Sequence, residues 1–265
     1  MNPRHHDQPF AKRSLGQNFL VDQNVVAKIL GAFNADEGDT VLEIGPGRGA
    51  LTEGLIETAG KLFVLEFDDV LAEDLHRRFA DRSNFTLVKG DALGIDFSTI
   101  SPGRPLRLIS NLPYNISTAI LQRLFDQPGV FSDCLLMFQR EVVDRITAAP
   151  GTKDRGYLTV LTEAHFAVEK LFDVAPSAFR PAPKVYSSIV RLIPRVTPGA
   201  DSSTFRKLVA LAFQQKRKTI ANNLKGSFDG VPALTAAGID PTRRSETLSL
   251  DEWMRLAQTI EASIR

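Results

Sequence analysis

The stretch Asp39-Thr-Val-Leu-Glu-Ile-Gly45-Pro-Gly47-Arg-Gly49 decides the fold class. Its first half is a short, mostly apolar run that predicts a strand, and its second half is a glycine-rich turn. Closely spaced glycines permit a tight turn and let the backbone approach a ligand where any Cβ atom would collide. A strand that passes through such a turn into a helix is typical of an α/β domain with a ligand site at the end of the strand.

Alternating helices and strands extend this unit in both directions. The predicted helices cover residues 22–33, 51–58, 70–78 and 118–125, and the further predicted strands cover residues 61–66, 85–89, 106–110 and 134–139. This alternation predicts a mostly parallel sheet with helices on both faces. Two later strands, at residues 166–172 and 187–193, have little helix between them and predict an antiparallel edge on that sheet.

The C-terminal part of the chain has a different pattern. Residues 194–203 are rich in Pro, Gly, Ser and Thr, which is typical of a linker. Amphipathic spacing then predicts helices at residues 205–224 and 250–264. We therefore expect an α/β domain over residues 1–195, including a basic N-terminal arm, and a small all-α domain over residues 196–265.

The composition is that of an ordered, globular chain. Hydrophobic residues make up 43% of the 265, which is enough for a sizeable core. Cys134 is the single cysteine, so an intramolecular disulfide and a Cys-x-x-Cys metal site are excluded, and we expect no metal. No run approaches the roughly 18 apolar residues of a membrane span, and the N-terminal segment lacks the apolar run of a signal peptide. The lone thiol is typical of a reducing compartment, so we expect a cytoplasmic protein. With no long apolar stripe in the sequence, we also expect a monomer.

The charge is unevenly distributed along the chain. The formal net charge is only +1, but residues 31–100 hold fourteen acids against six bases, and residues 176–225 hold ten bases against one acid. A basic segment of this kind attracts polyanions, because contacts with phosphates release counterions. A solvated helix face is the alternative interpretation of the same charges.

Glycine or acidic residues follow three successive strands at one edge of the predicted sheet. Gly45 and Gly47 follow the first strand, Glu66 ends the second and Asp91 follows the third. A carboxylate at Glu66 can accept both ribose hydroxyls of a nucleoside, and one at Asp91 can accept the exocyclic amine of an adenine. An N-capping role is equally open for Asp91. Taken together, the series predicts a nucleoside bound across the carboxyl edge of the sheet.

The glycine turn by itself leaves other classes of protein open. Gly45, Gly47 and Ala50 also satisfy the looser dinucleotide-binding pattern, so an NAD-dependent oxidoreductase is an alternative, as is an ordinary turn beside a surface acid. The oxidoreductase gives no role to the motif that ends the fourth strand or to the basic segment.

That motif, Ser110-Asn111-Leu112-Pro113-Tyr114, indicates the reaction. It resembles the (Asn/Asp)-Pro-Pro-(Tyr/Phe) motif of methyltransferases that modify exocyclic amines. The lone pair of an adenine N6 is delocalised into the ring. Acceptors for its two N–H bonds, the Asn111 side-chain oxygen and a backbone carbonyl near Leu112, would favour a pyramidal nucleophile. Pro113 fixes the backbone, and Tyr114 offers a face on which an extruded base can stack.

Four segments, in order and at the right intervals, resemble the ribosomal RNA adenine N6,N6-dimethyltransferase family, and most closely its bacterial small-subunit branch linked to kasugamycin sensitivity. These segments are residues 12–20, 43–49, 111–114 and 179–187. Residues 213–224 are similar to the family's basic C-terminal helix, so the resemblance covers nearly the whole chain.

The resemblance implies a Rossmann-like S-adenosylmethionine-dependent methyltransferase fold with S-adenosylmethionine as cofactor. It implies that Phe179 faces the target base opposite Tyr114, as an aromatic clamp. The implied cofactor contacts are Asn18, Leu20, Gly45, Gly47, Glu66, Asp91 and Asn111. The implied substrate is a pair of adjacent adenosines in a hairpin loop near the 3′ end of 16S ribosomal RNA, within the small ribosomal subunit. Each adenosine would receive two methyl groups, and a role in subunit biogenesis is expected.

The basic segment then becomes a predicted RNA-binding surface. The residues that we expect to contact phosphates are Arg180, Lys184, Lys216, Arg217 and Lys218. The last three are adjacent, so on a helix they would fan out over more than one face.

Two further functions remain open. One is that of a relative that dimethylates large-subunit ribosomal RNA and confers macrolide resistance; Leu112 and residues 179–187 favour the small-subunit enzyme. The other is a non-catalytic RNA-binding or ribosome-assembly factor that keeps the fold. The intact series of cofactor residues argues against a loss of catalysis.

Overall fold

A computed structural model describes residues 16–264, so the basic arm up to Leu15, predicted as part of the first domain, lies outside the described residues. Within the described part, residues 16–140 and 170–193 form one compact unit, and residues 141–169 and 194–264 form a second.

The first unit contains the predicted alternation of strands and helices. Its elements are β1 (Phe19–Leu20), α1 (Gln23–Phe33), β2 (Thr40–Ile44), α2 (Thr52–Thr58), β3 (Lys61–Glu66), α3 (Asp69–Phe79), β4 (Phe85–Lys89), β5 (Leu106–Asn111), α4 (Tyr114–Phe125) and β6 (Phe131–Gln139). After α5 (Arg140–Ile146) and α6 (Tyr157–His165), the chain forms β7 (Phe166–Val174), β8 (Phe179–Arg180) and β9 (Ser187–Pro194).

The central sheet has seven strands in the order β4-β3-β2-β5-β6-β9-β7. The pairs among β2 to β6 are parallel, and β9 pairs antiparallel with β6, which confirms the predicted antiparallel edge. The strand order reverses direction between β2 and β5, and open α/β sheets bind ligands at such a point. A separate two-stranded ladder joins β1 to β8, and it brings the segment before α1 beside the segment around Phe179.

Local sequence explains where these elements begin and end. The predicted cap Asp22 accepts hydrogen bonds from the backbone N–H groups of Asn24 and Val25, and α1 ends at Asn34 in the left-handed conformation. Every residue of β2 is buried, as expected for the interior strand of a covered sheet. The helix predicted at residues 118–125 begins earlier, at Tyr114, directly behind Pro113. Tyr114 is therefore the first residue of α4.

The second unit is helical. Besides α5 and α6 it contains α7 (Ser203–Ala212), α8 (Ile220–Leu224), α9 (Gly230–Ala236) and α10 (Leu250–Ile264). Helix α6 packs on α7 and α10, and this packing groups residues 141–169 with the C-terminal helices. The helical unit thus consists of α5 and α6 together with the helices that follow residue 194, and the two-domain boundary at residue 195 stays a prediction.

The single helix predicted at residues 205–224 is wrong, because the structure has two helices with turns between them. Helix α7 ends at Ala212, whose carbonyl accepts hydrogen bonds from Asn223 Nδ2 (2.7 Å) and Ser245 Oγ (2.6 Å). The next helix starts behind Thr219, whose hydroxyl accepts from the N–H of Asn222. Residues 216–218 therefore lie in turns and do not fan out over a helix.

Candidate active site

A pocket opens at the carboxyl edge of the sheet in the first unit. Strands β2, β3 and β5 deliver the glycine turn, Glu66 and the Asn111 motif to it, and residues 16–20 complete its wall. A second cavity shares Gln17, Gly45, Glu66 and Pro113 with the first and extends to Asp91. All of the predicted cofactor contacts line one cavity or both, so residues that the sequence assigned to one site lie close together in the fold.

The glycine turn is shaped for close approach of a ligand. Gly45 and Gly47 have φ values of +64° and +58°, in the left-handed region that favours glycine. A Cβ atom on Gly47 would lie 3.0 Å from Cδ1 of Phe19. The ring of Phe19 is also covered by the guanidinium of Arg48, 4.4 Å from its centroid. A larger residue at position 47 would therefore displace the ring that closes this side of the pocket.

Glu66 is held rigidly at the end of β3. One carboxyl oxygen accepts from the backbone N–H groups of Phe67 (2.9 Å) and Asp68 (2.8 Å), and the other accepts from Gly47 N–H (3.2 Å). Burial raises the pKa of Glu66, and these three hydrogen bonds oppose that rise. A carboxylate has about four acceptor positions, so about one position remains for a hydroxyl donor.

Asp91 follows β4 and is exposed on the rim of the second cavity. Its Oδ1 accepts from the backbone N–H of Leu93 at 2.9 Å and closes a turn over residues 92–94, so Asp91 does not cap a helix. The second carboxyl oxygen makes no hydrogen bond described in the structure. Contact with an adenine amine stays a prediction that this geometry permits.

Asn111 ends β5 with its side chain at the pocket. Its Nδ2 donates to the backbone carbonyl of Asn18 at 3.5 Å, a long hydrogen bond that orients the amide. Among the described residues, nothing donates to its Oδ1, which is the acceptor that the proposed chemistry needs. Leu112 is buried behind it, and Pro113 caps α4 with a φ of −56°. The backbone of the motif is thus fixed on both sides of Leu112.

The two aromatic residues of the predicted clamp differ in accessibility. Tyr114 is half-buried, and its phenol oxygen lies 2.7 Å from Oγ of Ser187. Phe179 lines the same pocket, but its side chain is 1% exposed and packs in the core, where β8 pairs with β1. A clamp of two accessible rings remains a prediction, since only the Tyr114 ring is substantially open here.

Glu43 is a pocket residue that sequence reasoning treated only as the start of the glycine motif. It is 2% exposed, and Thr52 Oγ1 donates to it at 2.6 Å. Burial raises its pKa from 4.5 to about 8, against the lowering effect of Thr52 and with a smaller rise from the charge of Glu66. The carboxyl is therefore largely protonated at neutral pH. The sequence signal that could have identified Glu43 as a pocket residue is an acidic residue near the end of an otherwise apolar strand.

The predicted RNA contacts are all exposed. Arg180 and Lys184 flank the loop after β8 in the first unit, and residues 216–218 lie in the turns after α7 in the second. Their contact with RNA is not tested by this arrangement and stays a prediction.

The described part of the chain offers neither a metal-ligand cluster nor a membrane-spanning helix. Residues 16–264 hold no group of three or more His, Cys, Asp or Glu side chains that could bind a metal ion. Within the same range, no helix is both long and apolar enough to cross a membrane.

The fold and the pocket together define a class of protein. A glycine turn, a fixed carboxylate and an Asn-Leu-Pro-Tyr motif meet at the carboxyl edge of a mostly parallel sheet. This arrangement is that of an S-adenosylmethionine-dependent methyltransferase that acts on an exocyclic amine.

Comparisons with known proteins agree with this class. Residues 10–262 match the family model "Ribosomal RNA adenine dimethylase". Proteins named ribosomal RNA small subunit methyltransferase A are similar over nearly their whole length: one from Pseudomonas putida is 46% identical over 94% of this chain and 95% of its own. One from Aromatoleum aromaticum is 44% identical over 95% of both.

Two solved structures are also similar. A dimethyladenosine transferase from Plasmodium falciparum has a TM-score of 0.76 at 26% identity and covers 90% of this chain and 95% of its own. The 23S rRNA methyltransferase ErmE has a TM-score of 0.70 at 27% identity and covers 92% and 100%.

The chain therefore belongs to the ribosomal RNA adenine dimethylase family. It is an S-adenosylmethionine-dependent methyltransferase of adenine in ribosomal RNA, which confirms the predicted fold class, enzyme class and cofactor. The alternative of an NAD-dependent oxidoreductase, suggested by the glycine turn, is wrong.

Proposed function

We propose that the protein dimethylates N6 of two adjacent adenosines in a hairpin loop near the 3′ end of 16S ribosomal RNA, within the small ribosomal subunit, and so takes part in the biogenesis of that subunit. The observation that carries the reaction is the Asn111 amide, tethered through Nδ2 with its Oδ1 without a donor in the pocket. The substrate is supported by the relatives, which at 44–46% identity are named for the small subunit, whereas the 23S enzyme is 27% identical.

The pocket residues fit the cofactor. The left-handed glycines remove the Cβ atoms that would fill the space beside β2, and Glu66 retains about one acceptor position for a ribose hydroxyl. The second cavity has apolar walls at Ala92 and Ile116, with the Asp91 carboxylate at its rim, which suits an adenine ring and its amine. When bound, S-adenosylmethionine supplies a methyl group on a sulfonium, which is a strong electrophile.

The chain's own residues orient the nucleophile. In the first transfer, Asn111 Oδ1 and a backbone carbonyl at Leu112 accept the two N–H bonds of the target amine, which directs the N6 lone pair towards the methyl group. In the second transfer the monomethylated amine has one N–H left, and one of these two acceptors holds it. Tyr114 stacks on the base and sets its plane. For each methyl group gained, the amine would form one N–C bond while the S–CH3 bond of the sulfonium breaks, which leaves a neutral thioether, and one proton would pass to solvent. Positioning supplies most of the catalysis, so the mechanism assigns no general base.

The exposed cations supply contacts with the ribosomal RNA. Arg180 and Lys184 lie in the unit that holds the pocket, and the loop that carries them leads directly into β9. Residues 216–218 offer three adjacent positive charges in an exposed turn. Such contacts contribute affinity that weakens as salt concentration rises.

The test is transfer of labelled methyl groups from S-adenosylmethionine to undermethylated small subunits, followed by digestion of the RNA to nucleosides. We expect N6,N6-dimethyladenosine from two neighbouring positions of 16S RNA. Transfer only to naked large-subunit RNA would replace this proposal with the resistance-type activity. Tight subunit binding without transfer to either substrate would favour the assembly-factor function.

We also propose that the protein acts as a monomer in the cytoplasm, where a ribosomal substrate would be met. The large hydrophobic residues that are exposed in the described part include two short groups, Phe67 with Val70 and four residues between 185 and 196, and three isolated ones, Val21, Val231 and Ile264. Light scattering coupled to size exclusion should give the mass of one chain, and a concentration-dependent dimer would contradict this.

A further inference from the structure

The ring of Tyr114 is fixed at both of its ends. Its backbone starts α4 directly behind Pro113, and its phenol oxygen lies 2.7 Å from Oγ of Ser187. Ser187 is the first residue of β9, which pairs with β6 in the same sheet, and its register partner is Gln139. The bond therefore ties the pocket motif to a strand 73 residues further along the chain.

We propose that Ser187 is a positioning residue that sets the plane of the Tyr114 ring against the target adenine. This inference rests on the proposed function, because it needs a base stacked on that ring. The phenol oxygen lies on the axis of the ring's terminal torsion, but the phenolic O–H and lone pairs prefer the ring plane. A hydrogen bond there therefore favours the ring orientations that place Ser187 Oγ near that plane. A stacking face contributes to catalysis only when its plane matches the plane in which the base must lie for transfer.

Burial makes this bond hard to replace. Ser187 is 0% exposed, so water does not substitute for its hydroxyl without opening the sheet edge. Burial also raises the pKa of Tyr114, which keeps the phenol protonated. Because Phe179 is buried in the core, Tyr114 is the aromatic residue of the motif whose orientation matters most to an incoming base.

The next residue provides a matched control. Ser188 is also 0% exposed and lies on the same strand, but successive side chains of a strand point to opposite faces. Its Oγ donates to Oδ1 of Asp173 at 2.5 Å, and Asp173 also pairs with Lys170. Removing the Ser188 hydroxyl therefore deletes a comparable buried hydrogen bond without affecting Tyr114.

The experiment compares Ser187→Ala, Ser188→Ala, Tyr114→Phe and the double variant Ser187→Ala/Tyr114→Phe in methyl transfer to undermethylated small subunits. We expect kcat to fall roughly tenfold in Ser187→Ala and in Tyr114→Phe, as for the loss of one orienting hydrogen bond. The double variant should be no slower than the slower single variant, because both changes remove the same bond. Affinity for S-adenosylmethionine should be unchanged, and Ser188→Ala should keep kcat within about twofold.

Several outcomes would overturn the inference. The first is equal kcat values for Ser187→Ala and Ser188→Ala, and the second is a double variant whose loss in kcat is the product of the two single losses. The third is an unchanged kcat in Tyr114→Phe, and this result would be decisive even if Ser187→Ala fails to fold. If the unaltered protein transfers no methyl group to adenine N6, the proposed function fails, and this inference fails with it. If the parent and Ser187→Ala both transfer methyl groups at the normal rate, the inference about Ser187 fails and the proposed function stands.

Discussion

Replacing Glu43 with glutamine should make the free protein more stable at neutral and mildly alkaline pH, although it removes an acid from the pocket. The unfolded chain releases this proton near pH 4.5, whereas the folded protein holds it up to about pH 8. Between these values the folded state binds one more proton than the unfolded state. Raising the pH therefore favours unfolding, by up to about 1.4 kcal/mol for each pH unit.

The size of the effect follows from that interval. Between pH 4.5 and pH 8 the free energy of unfolding of the parent falls by about 5 kcal/mol at most, and above pH 8 this contribution stays constant. Glutamine has nearly the same shape and still accepts from Thr52, but it does not titrate. The stability of the variant should thus equal that of the parent near pH 4.5 and exceed it increasingly up to pH 8.

Denaturant unfolding at pH 5, 6, 7 and 8 measures this difference directly in the absence of cofactor. The parent-minus-variant difference cancels the titrating groups that do not interact with Glu43, and Glu66 is the neighbour that does interact with it. Glu57→Gln, on the exposed side of α2, serves as a control and should follow the pH dependence of the parent. Parallel stability curves for the parent and Glu43→Gln would refute the assignment of a protonated buried carboxyl to this pocket.

Three further predictions concern the pocket and the RNA. Asn111→Ala should abolish methyl transfer and leave cofactor binding weakened but measurable by calorimetry; turnover near that of the parent would contradict the proposed mechanism. Gly47→Ala should lower affinity for S-adenosylmethionine at least about tenfold, through a positive φ and a Cβ atom 3.0 Å from an aromatic ring, and an unchanged dissociation constant would show that the turn adapts. Replacing Lys216, Arg217 and Lys218 together by alanine should weaken binding to the small subunit. It should also reduce the slope of log K against log salt concentration by up to about three, whereas an unchanged slope would indicate that the three side chains are solvated and do not contact phosphates.

Much of the pocket could be predicted because its residues stand at strand ends. Gly45, Glu66 and Asn111 each follow an apolar run of strand length, and the carboxyl ends of parallel strands share one edge. The roles of Glu43 and Ser187 were not predictable in this way. Both depend on a partner supplied by the folded chain, Thr52 in one case and Tyr114 in the other.

The helical unit was predicted less well, for physical reasons that are specific to its sequence. Helix α6 is buried along almost its entire length, so it has no polar face and shows no amphipathic period. The end of α7 is set by side chains from far along the chain, since Ser245 bonds to Ala212 across 33 residues. A local pattern of apolar residues contains neither signal.

The interruption of the first unit between residues 140 and 170 has a consequence for the newly made chain. Synthesis proceeds from the N-terminus, so β6 emerges before the strand that covers its outer edge, β9, has been made. Translation of the intervening residues takes about 3 to 10 s at about 5 to 20 residues per second. During that time a strand composed largely of core residues has one unpaired edge, which is the kind of surface that joins other chains. The nascent protein should accordingly need protection from aggregation in this interval, and a ribosome stalled just before Ser187 would prolong it.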